Sequence, residues 1–294
     1  DQHYKMNAQT ISYIDRTQKM NLMGNPIVES KNQGMSGQYI ELQFTDSLLN
    51  QAIIEDEGYV YNYHRAKIKK LGDMQLYKDE MKGNHLQINM KNGNLQNVLI
   101  KGMAESLYYV VNDSLFLIGE NSATGDTIRL NYIDNNLSKI RISGGARGIF
   151  TPEKNNSSID STLHYSSNSI DYQLKEQASY LKGDVKIKYQ DTELIAGNVE
   201  VDWRTNYLYA FNDGNTLPQI YSNYQEPMYG EKLEFDLIKK QGVISLGETT
   251  FNESIFKAKK VYRNEPNIFH MKKGIYTTCD HDLPHYYFKS NKMK

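Results

Sequence analysis

The chain has 294 residues, 39% of them hydrophobic, and a formal net charge of −1 from 34 basic and 35 acidic side chains. That balance excludes nucleic acid as the main partner, because phosphate binding needs a concentrated positive field. The single cysteine, Cys279, excludes an internal disulfide, and no apolar run reaches the length of about 18 residues that crosses a membrane as a helix. Tyr is common at 23, against 6 Pro and 1 Trp, a composition that suits pleated, half-buried strands. The chain opens Asp1-Gln2-His3, with no initiator Met and no charged-then-apolar leader, as expected of a processed or trimmed product.

From the N-terminus onward a short pattern recurs: a Gly, then within a few residues three apolar residues at alternate positions. Gly37 leads Ile40, Leu42 and Phe44; Gly83 leads Leu86, Ile88 and Met90; Gly125 leads Ile128, Leu130 and Tyr132. Residues 152–168, with Asn155-Asn156-Ser157-Ser158 and Ser166-Ser167, read as a polar loop. Leu174 to Leu181 is the best helix candidate, and it is short. Lys182 to Tyr189 alternates like a strand. Then Gly197 leads Val199, Val201 and Trp203, residues 212–227 read as a second loop, and Gly230 leads Leu233, Phe235 and Leu237. Period-two alternation is the mark of a strand with one buried face.

A polar turn follows each copy, as in Asp46-Ser47, Asn92-Gly93-Asn94 and Asp134-Asn135-Asn136, and a second strand begins at Leu49, Leu95, Leu137 and Leu208. The unit is therefore strand, tight turn, strand. Irregular spacing between the leading glycines excludes a solenoid of fixed coil length and fits an antiparallel stack. The expected organisation is N-terminal repeats over 1–150, a polar loop over 151–169 and C-terminal repeats over 170–294, read as one continuous array.

Enzymatic signatures are missing: no Gly-x-Ser-x-Gly, no phosphate-binding loop and no His-Glu-x-x-His. Gly144-Gly145-Ala146-Arg147-Gly148 reads as a plain turn, and His64 and His85 as isolated structural or exposed residues. Cys279-Asp280-His281-Asp282-Leu283-Pro284-His285 contains zinc-ligand types but lacks a second Cys, so neither metal nor cofactor is expected. The chain is read as a carrier or scaffold, not an enzyme.

Gly183-Asp184-Val185, then Leu194 to Asp202, then Asn206-Tyr207-Leu208-Tyr209-Ala210 resembles the OstA repeat of the OstA/LptA-like family, and Tyr229 to Asp236 resembles its first strand again. Gly274-Ile275-Tyr276-Thr277-Thr278-Cys279-Asp280, followed by Pro284-His285-Tyr286-Tyr287-Phe288, resembles the junction where the periplasmic N-terminal domain of the LPS-assembly LptD proteins approaches its membrane barrel. The match is good over about 170–294 and looser over 7–150. The resemblance implies an all-β, antiparallel stacked-strand β-jellyroll, V-shaped, that holds lipid acyl chains between its sheets. It implies lipopolysaccharide transport and outer-membrane assembly in the periplasm. The implied partners are lipopolysaccharide, a second jellyroll joined by edge-strand pairing, and the outer-membrane barrel region with its plug lipoprotein.

That barrel does not follow within this sequence, as expected of a truncated form or of a bridge-like relative with an LptD-like end. The family also implies that Cys279 is a disulfide candidate, pairing with a barrel cysteine. Alternation places Val185, Ile187, Val199, Val201, Trp203, Leu233, Phe235 and Leu237 on one side, with Lys186, Lys188, Glu200, Asp202, Glu234 and Asp236 opposite, and the resemblance implies that the apolar side faces lipid. The same alternation fits a structural or adhesive surface repeat with a closed core, or a glycan-binding module using Tyr221, Tyr224 and Tyr229.

Overall fold

The computed structural model describes residues 4–68, 73–112, 114–154, 159–222, 227–251, 254–265, 268–281 and 283–294. Among them the fold is an antiparallel, stacked-strand β-jellyroll, with one short 3₁₀ turn at Asp15–Thr17 and no longer helix. No helix among the described residues is long and apolar enough to cross a membrane. The chain divides into two compact units, Asp1–Asp160 with Ser169–Glu176, and Ser161–Asn168 with Gln177–Lys294.

The first unit opens with short strands: β1 (Lys5–Asn7), β2 (Thr10–Ile14), β3 (Lys19–Met23), β4 (Ile27–Glu29), β5 (Gln33–Ser36) and β6 (Tyr39–Thr45). Long strands follow: β7 (Leu48–Lys67), β8 (Met74–Lys91), β9 (Asn94–Val111), β10 (Leu117–Ile133) and β11 (Asn136–Pro152). Each long strand pairs with the next. Strand β6 pairs with the start of β7 and β5 with its end, while β3 lies beside β6 and β4 beside β5. The outermost places are taken by β2 against β3 and β1 against β4. Each pair of short strands thus does the work of one long strand broken at a bend.

The bend lies mid-strand. Strands β7, β9 and β11 carry two consecutive residues at positive φ there: Asp56-Glu57, Gly102-Met103 and Gly144-Gly145. Beside these positions the ladder slips by one residue, between Glu55 and Gly58 or between Thr124 and Thr127 for example. One extra residue on one strand is a β-bulge, which bends the strand and restarts side-chain alternation. The neighbouring strand meets the bulge with glycine. A Cβ at Gly83 would stand 2.5 Å from Ile100 Cγ2, and one at Gly125 would stand 2.7 Å from Ile142 Cγ2. The leading glycines of the repeat therefore mark corners over which the next strand's isoleucine is packed.

Register then aligns the repeat's first apolar residues into a row. Leu22, Ile40, Ile54, Leu86, Ile100, Ile128 and Ile142 are partners in successive ladders, and each is at most 1% exposed. Leu42, Ala52, Ile88, Val98 and Leu130 form the next row. Burying each such Leu or Ile contributes about 1.5–3 kcal/mol, which makes this half-sheet an aliphatic wall. Beyond the bend runs a different row, Met6, Val28, Met35, Val60, Met81, Ser106 and Ala123. The walls face one interior: Tyr132 on the first lies close enough to Tyr108 on the second for its phenol to feel the other. Burial raises both phenol pKa values, that of Tyr108 to about 12.

Strand β12 (Leu163–Gln173) gives residues up to Asn168 to the second unit and the rest to the first. The second unit continues with β13 (Ala178–Tyr189), β14 (Thr192–Asp202), β15 (Tyr207–Phe211), β16 (Gln219–Ser222), β17 (Met228–Tyr229) and β18 (Lys232–Asp236). It ends with β19 (Gln241–Phe251), β20 (Ser254–Glu265), β21 (Ile268–Thr277) and β22 (Phe288–Met293). The end of β14 pairs with β15 and its start with β16; these continue through β18 and β17, and both lines rejoin on β19. Leu181, Val199, Ala210, Leu233, Ile244 and Val261 form its buried row.

Three local expectations change. Within 152–168 the chain already forms β12 from Leu163, because Tyr165 and Ser167 still alternate inward despite their hydroxyls. Residues 155–158, with the Asn155-Asn156-Ser157 run, lie outside the described residues. Within 212–227, strand β16 forms at Gln219–Ser222, and the chain from 212 to 218 is the corner between β15 and β16. Leu174 to Leu181 forms a turn and then the start of β13, since so short an apolar pattern cannot nucleate a helix against a waiting sheet edge.

Candidate ligand-binding interior

The apolar positions singled out by alternation fall into three groups. Val199, Val201 and Leu233 are buried, and Phe235, half-buried, pairs with Leu208 in the same wall. Val185 and Ile187 are also buried but lie past the Gly183-Asp184 bulge of β13, opposite Ala196 and Leu194. They belong to the wall beyond the bend. Trp203 and Leu237 lie outside the strands altogether. Trp203 sits in a turn, its backbone N–H donating to Gln177 O at 2.9 Å and its indole Nε1–H to the buried Ser179 Oγ at 2.7 Å. Leu237 donates to Asn206 O at 3.0 Å in the next turn. These turn residues cap the wall.

The opposite face also has an exception. Asp236 is buried in its own turn, where its carboxylate accepts backbone N–H bonds from Ile238 and Lys239; the latter bond is the main reason its pKa is lowered. Asp202 makes the same kind of turn with Arg204 as partner, which pulls its pKa down to about 2.

Cys279 is free and buried. Its N–H donates to Thr277 Oγ1 at 3.0 Å, and its Sγ lies 3.5 Å from His285 Nδ1. His281 packs edge-on against His285 at 4.7 Å. Among the described residues no cluster of metal-ligand types gathers here or elsewhere, and Asp282 lies outside them. Of the tyrosines considered for glycan binding, Tyr221 is half-buried and donates to Gln219 Oε1 at 2.8 Å, Tyr229 is half-buried in β17, and Tyr224 lies outside the described residues.

Neither His64 nor His85 stands alone, contrary to the sequence expectation. His85 Nδ1 lies 2.8 Å from Glu55 Oε1 across the β7–β8 ladder. His64 Nδ1 lies 3.1 Å from Asp79 Oδ2, and Asp79 is one of the few buried carboxylates. The other Asp79 oxygen accepts the Tyr109 backbone N–H at 2.9 Å. That amide is available because the β8–β9 ladder ends at Glu80–Leu107, while β9 stays paired with β10 as far as Val111. The signal in the sequence is the alternation itself. Asn62, His64 and Asp79 occupy inward positions beside Val60 and Met81, where polar residues need a reason.

No family model matches the chain, and no curated protein matches it. Solved structures do. One is the crystal structure of LptH from Pseudomonas aeruginosa, described as the LptA-homologous periplasmic component of the conserved lipopolysaccharide transport device. It is 13% identical, covers 46% of this chain and 78% of its own, and superposes with a TM-score of 0.32. A likeness of that degree assigns no function.

Proposed function

We propose that the protein is an OstA/LptA-like jellyroll that carries the acyl chains of lipopolysaccharide between its sheet walls during outer-membrane assembly in the periplasm. The observation that carries this reading is the pairing of unlike walls in the first unit. One wall is Ile and Leu; the other carries Met6, Met35 and Met81 alternating with Val28 and Val60. Unbranched Met side chains refit around a guest more readily than Ile or Leu. On the same inner face as Val60, Asn62 is exposed, while Val28, Met81 and Ala123 are buried. Acyl chains laid there gain about 0.8 kcal/mol for each buried CH₂, and the protein itself supplies no drive for net movement. Docking of a similar jellyroll at β2, and of a barrel region with its plug lipoprotein beyond β22, belong to this reading, as does oxidation of Cys279 with a barrel cysteine.

A photo-crosslinking residue at Met35 or Phe235 is expected to label lipopolysaccharide, and one at Glu234, on the opposite face, is not. Equal labelling from both faces, or none from any position in a folded protein, would remove the reading. Near-complete burial favours a second reading, a closed-core structural repeat, and it does so in both units: Leu22, Ile40 and Leu86 in the first, Val185, Val199, Val201 and Leu233 in the second. Labelling at Met35 without labelling at Phe235 would assign carriage to the first unit alone.

A further inference from the structure

We infer that His64 is a hydrogen-bonding station inside the first unit, which recognises a hydroxyl group borne on an acyl chain. The inference rests on the acyl-chain reading and adds a chemical preference to it. The His64 ring is fixed at one nitrogen and bare at the other. Nδ1 is engaged with Asp79 Oδ2 at 3.1 Å, and Asp79 is itself anchored by the Tyr109 N–H at 2.9 Å. With Nδ1 engaged by the carboxylate, Nε2 is the ring nitrogen left for a guest's hydrogen-bonding group. That atom is buried and has no hydrogen-bond partner; it is the one such side-chain nitrogen or oxygen found among the described residues.

A buried polar atom left unmatched is costly, so a guest that supplies a partner is favoured over one that does not. His64 shares its inner face with Asn62, two residues away, which is exposed and can donate its amide N–H groups. A hydroxyl is the group that both donates to an imidazole nitrogen and accepts from an amide. The chain bearing it has an apolar bed along Val60 and Met81 on the same face. Beyond the end of the β8–β9 ladder at Glu80 the strands are joined by side chains, Asp79 to the Tyr109 N–H and the Tyr77 ring to the Tyr109 ring at 4.9 Å, so a guest reaches Nε2 by displacing side chains and not by breaking a ladder.

The test is displacement of a fluorescent fatty acid from the full chain by octadecanoic acid and by its monohydroxylated derivatives, with the hydroxyl moved along the chain. The wild-type protein is expected to prefer at least one hydroxylated acid by about tenfold, the worth of one added hydrogen bond. His64→Phe should abolish that preference while leaving octadecanoic acid affinity within about twofold, and His64→Gln, which keeps an acceptor, should restore part of it. Should the Phe variant lose all binding through misfolding, the Gln variant decides alone: a partial loss of preference supports the station, and full retention overturns it. Equal affinities for all the acids in the wild type, as when water already satisfies Nε2, would overturn the inference while leaving acyl carriage intact. Preference undiminished in a folded His64→Phe protein would overturn it too. Failure of every fatty acid to bind would instead remove the carrier reading beneath it.

Discussion

Single side chains in this protein divide by the face they occupy. Ile128 is fully buried in the aliphatic row, between Ile100 and Ile142, whereas Ile133 at the end of the same strand is 59% exposed. Ile128→Ala is expected to cost about 2–4 kcal/mol in urea unfolding, through lost transfer and the cavity left behind, and Ile133→Ala less than about 0.5 kcal/mol. On the outer face, Arg141 grips Asp171 with both arms at 2.7 Å, with Lys139 at 3.5 Å. The Arg141 hydrogen bonds are the chief reason the Asp171 pKa is lowered. A lowered carboxyl pKa adds stability above its unfolded value, near 4, and that contribution fades as pH falls through the folded value. Arg141 is half-exposed, so the pair is worth only about 1 kcal/mol. Unfolding free energies followed from pH 7 down to 3 should therefore fall less steeply for Asp171→Asn than for the wild type.

At the level of strands, the corners decide the architecture. Gly83 has an ordinary backbone, so its lack of a side chain is explained by Ile100 Cγ2, 2.5 Å from where a Cβ would stand. Gly83→Ala is expected to destabilise by about 1–3 kcal/mol through overpacking. Ile100→Leu removes that branch methyl at constant volume, so the double variant should recover at least about 1 kcal/mol relative to the sum of the single changes. Additive costs would show that the corner does not depend on this contact. The same site shows what the sequence could and could not tell. Leu86-x-Ile88-x-Met90 declares a strand with one buried face by itself, since period two is a local property. That Gly83 must be bare depends on a residue in the following strand, which spacing alone does not reveal. Tyr165 and Ser167 are hidden in the sequence for a related reason: they are inward residues with hydroxyls, and a polar run resembles a loop until a neighbouring strand is there to pair with it. His64 and Asp79 look isolated in sequence because their meeting is set by the register Asn62–Asp79 and His64–Tyr77.

For the molecule as a whole, strand content is the first check. Far-UV circular dichroism should show a strand-dominated spectrum, and helix near the one-third typical of globular proteins would be incompatible with this fold. The cross-strand rows carry a further consequence for how the first unit comes apart. Apart from a bridge from Lys67 at the end of β7 to Leu115 and Phe116 before β10, the ladders there join each strand to the strands beside it, so the unit behaves as a zipper whose teeth are the Ile and Leu of one row. Its last tooth is loose: Ile11 extends the row as the partner of Leu22 yet is 49% exposed, and all of β2 is exposed. Native-state hydrogen exchange should consequently be fastest in β1 and β2 and slowest in β8 and β9, with protection climbing strand by strand between them. Opening of this kind begins at a free end and travels inward, so a strand laid against β2 would slow exchange far along the row without touching any residue there.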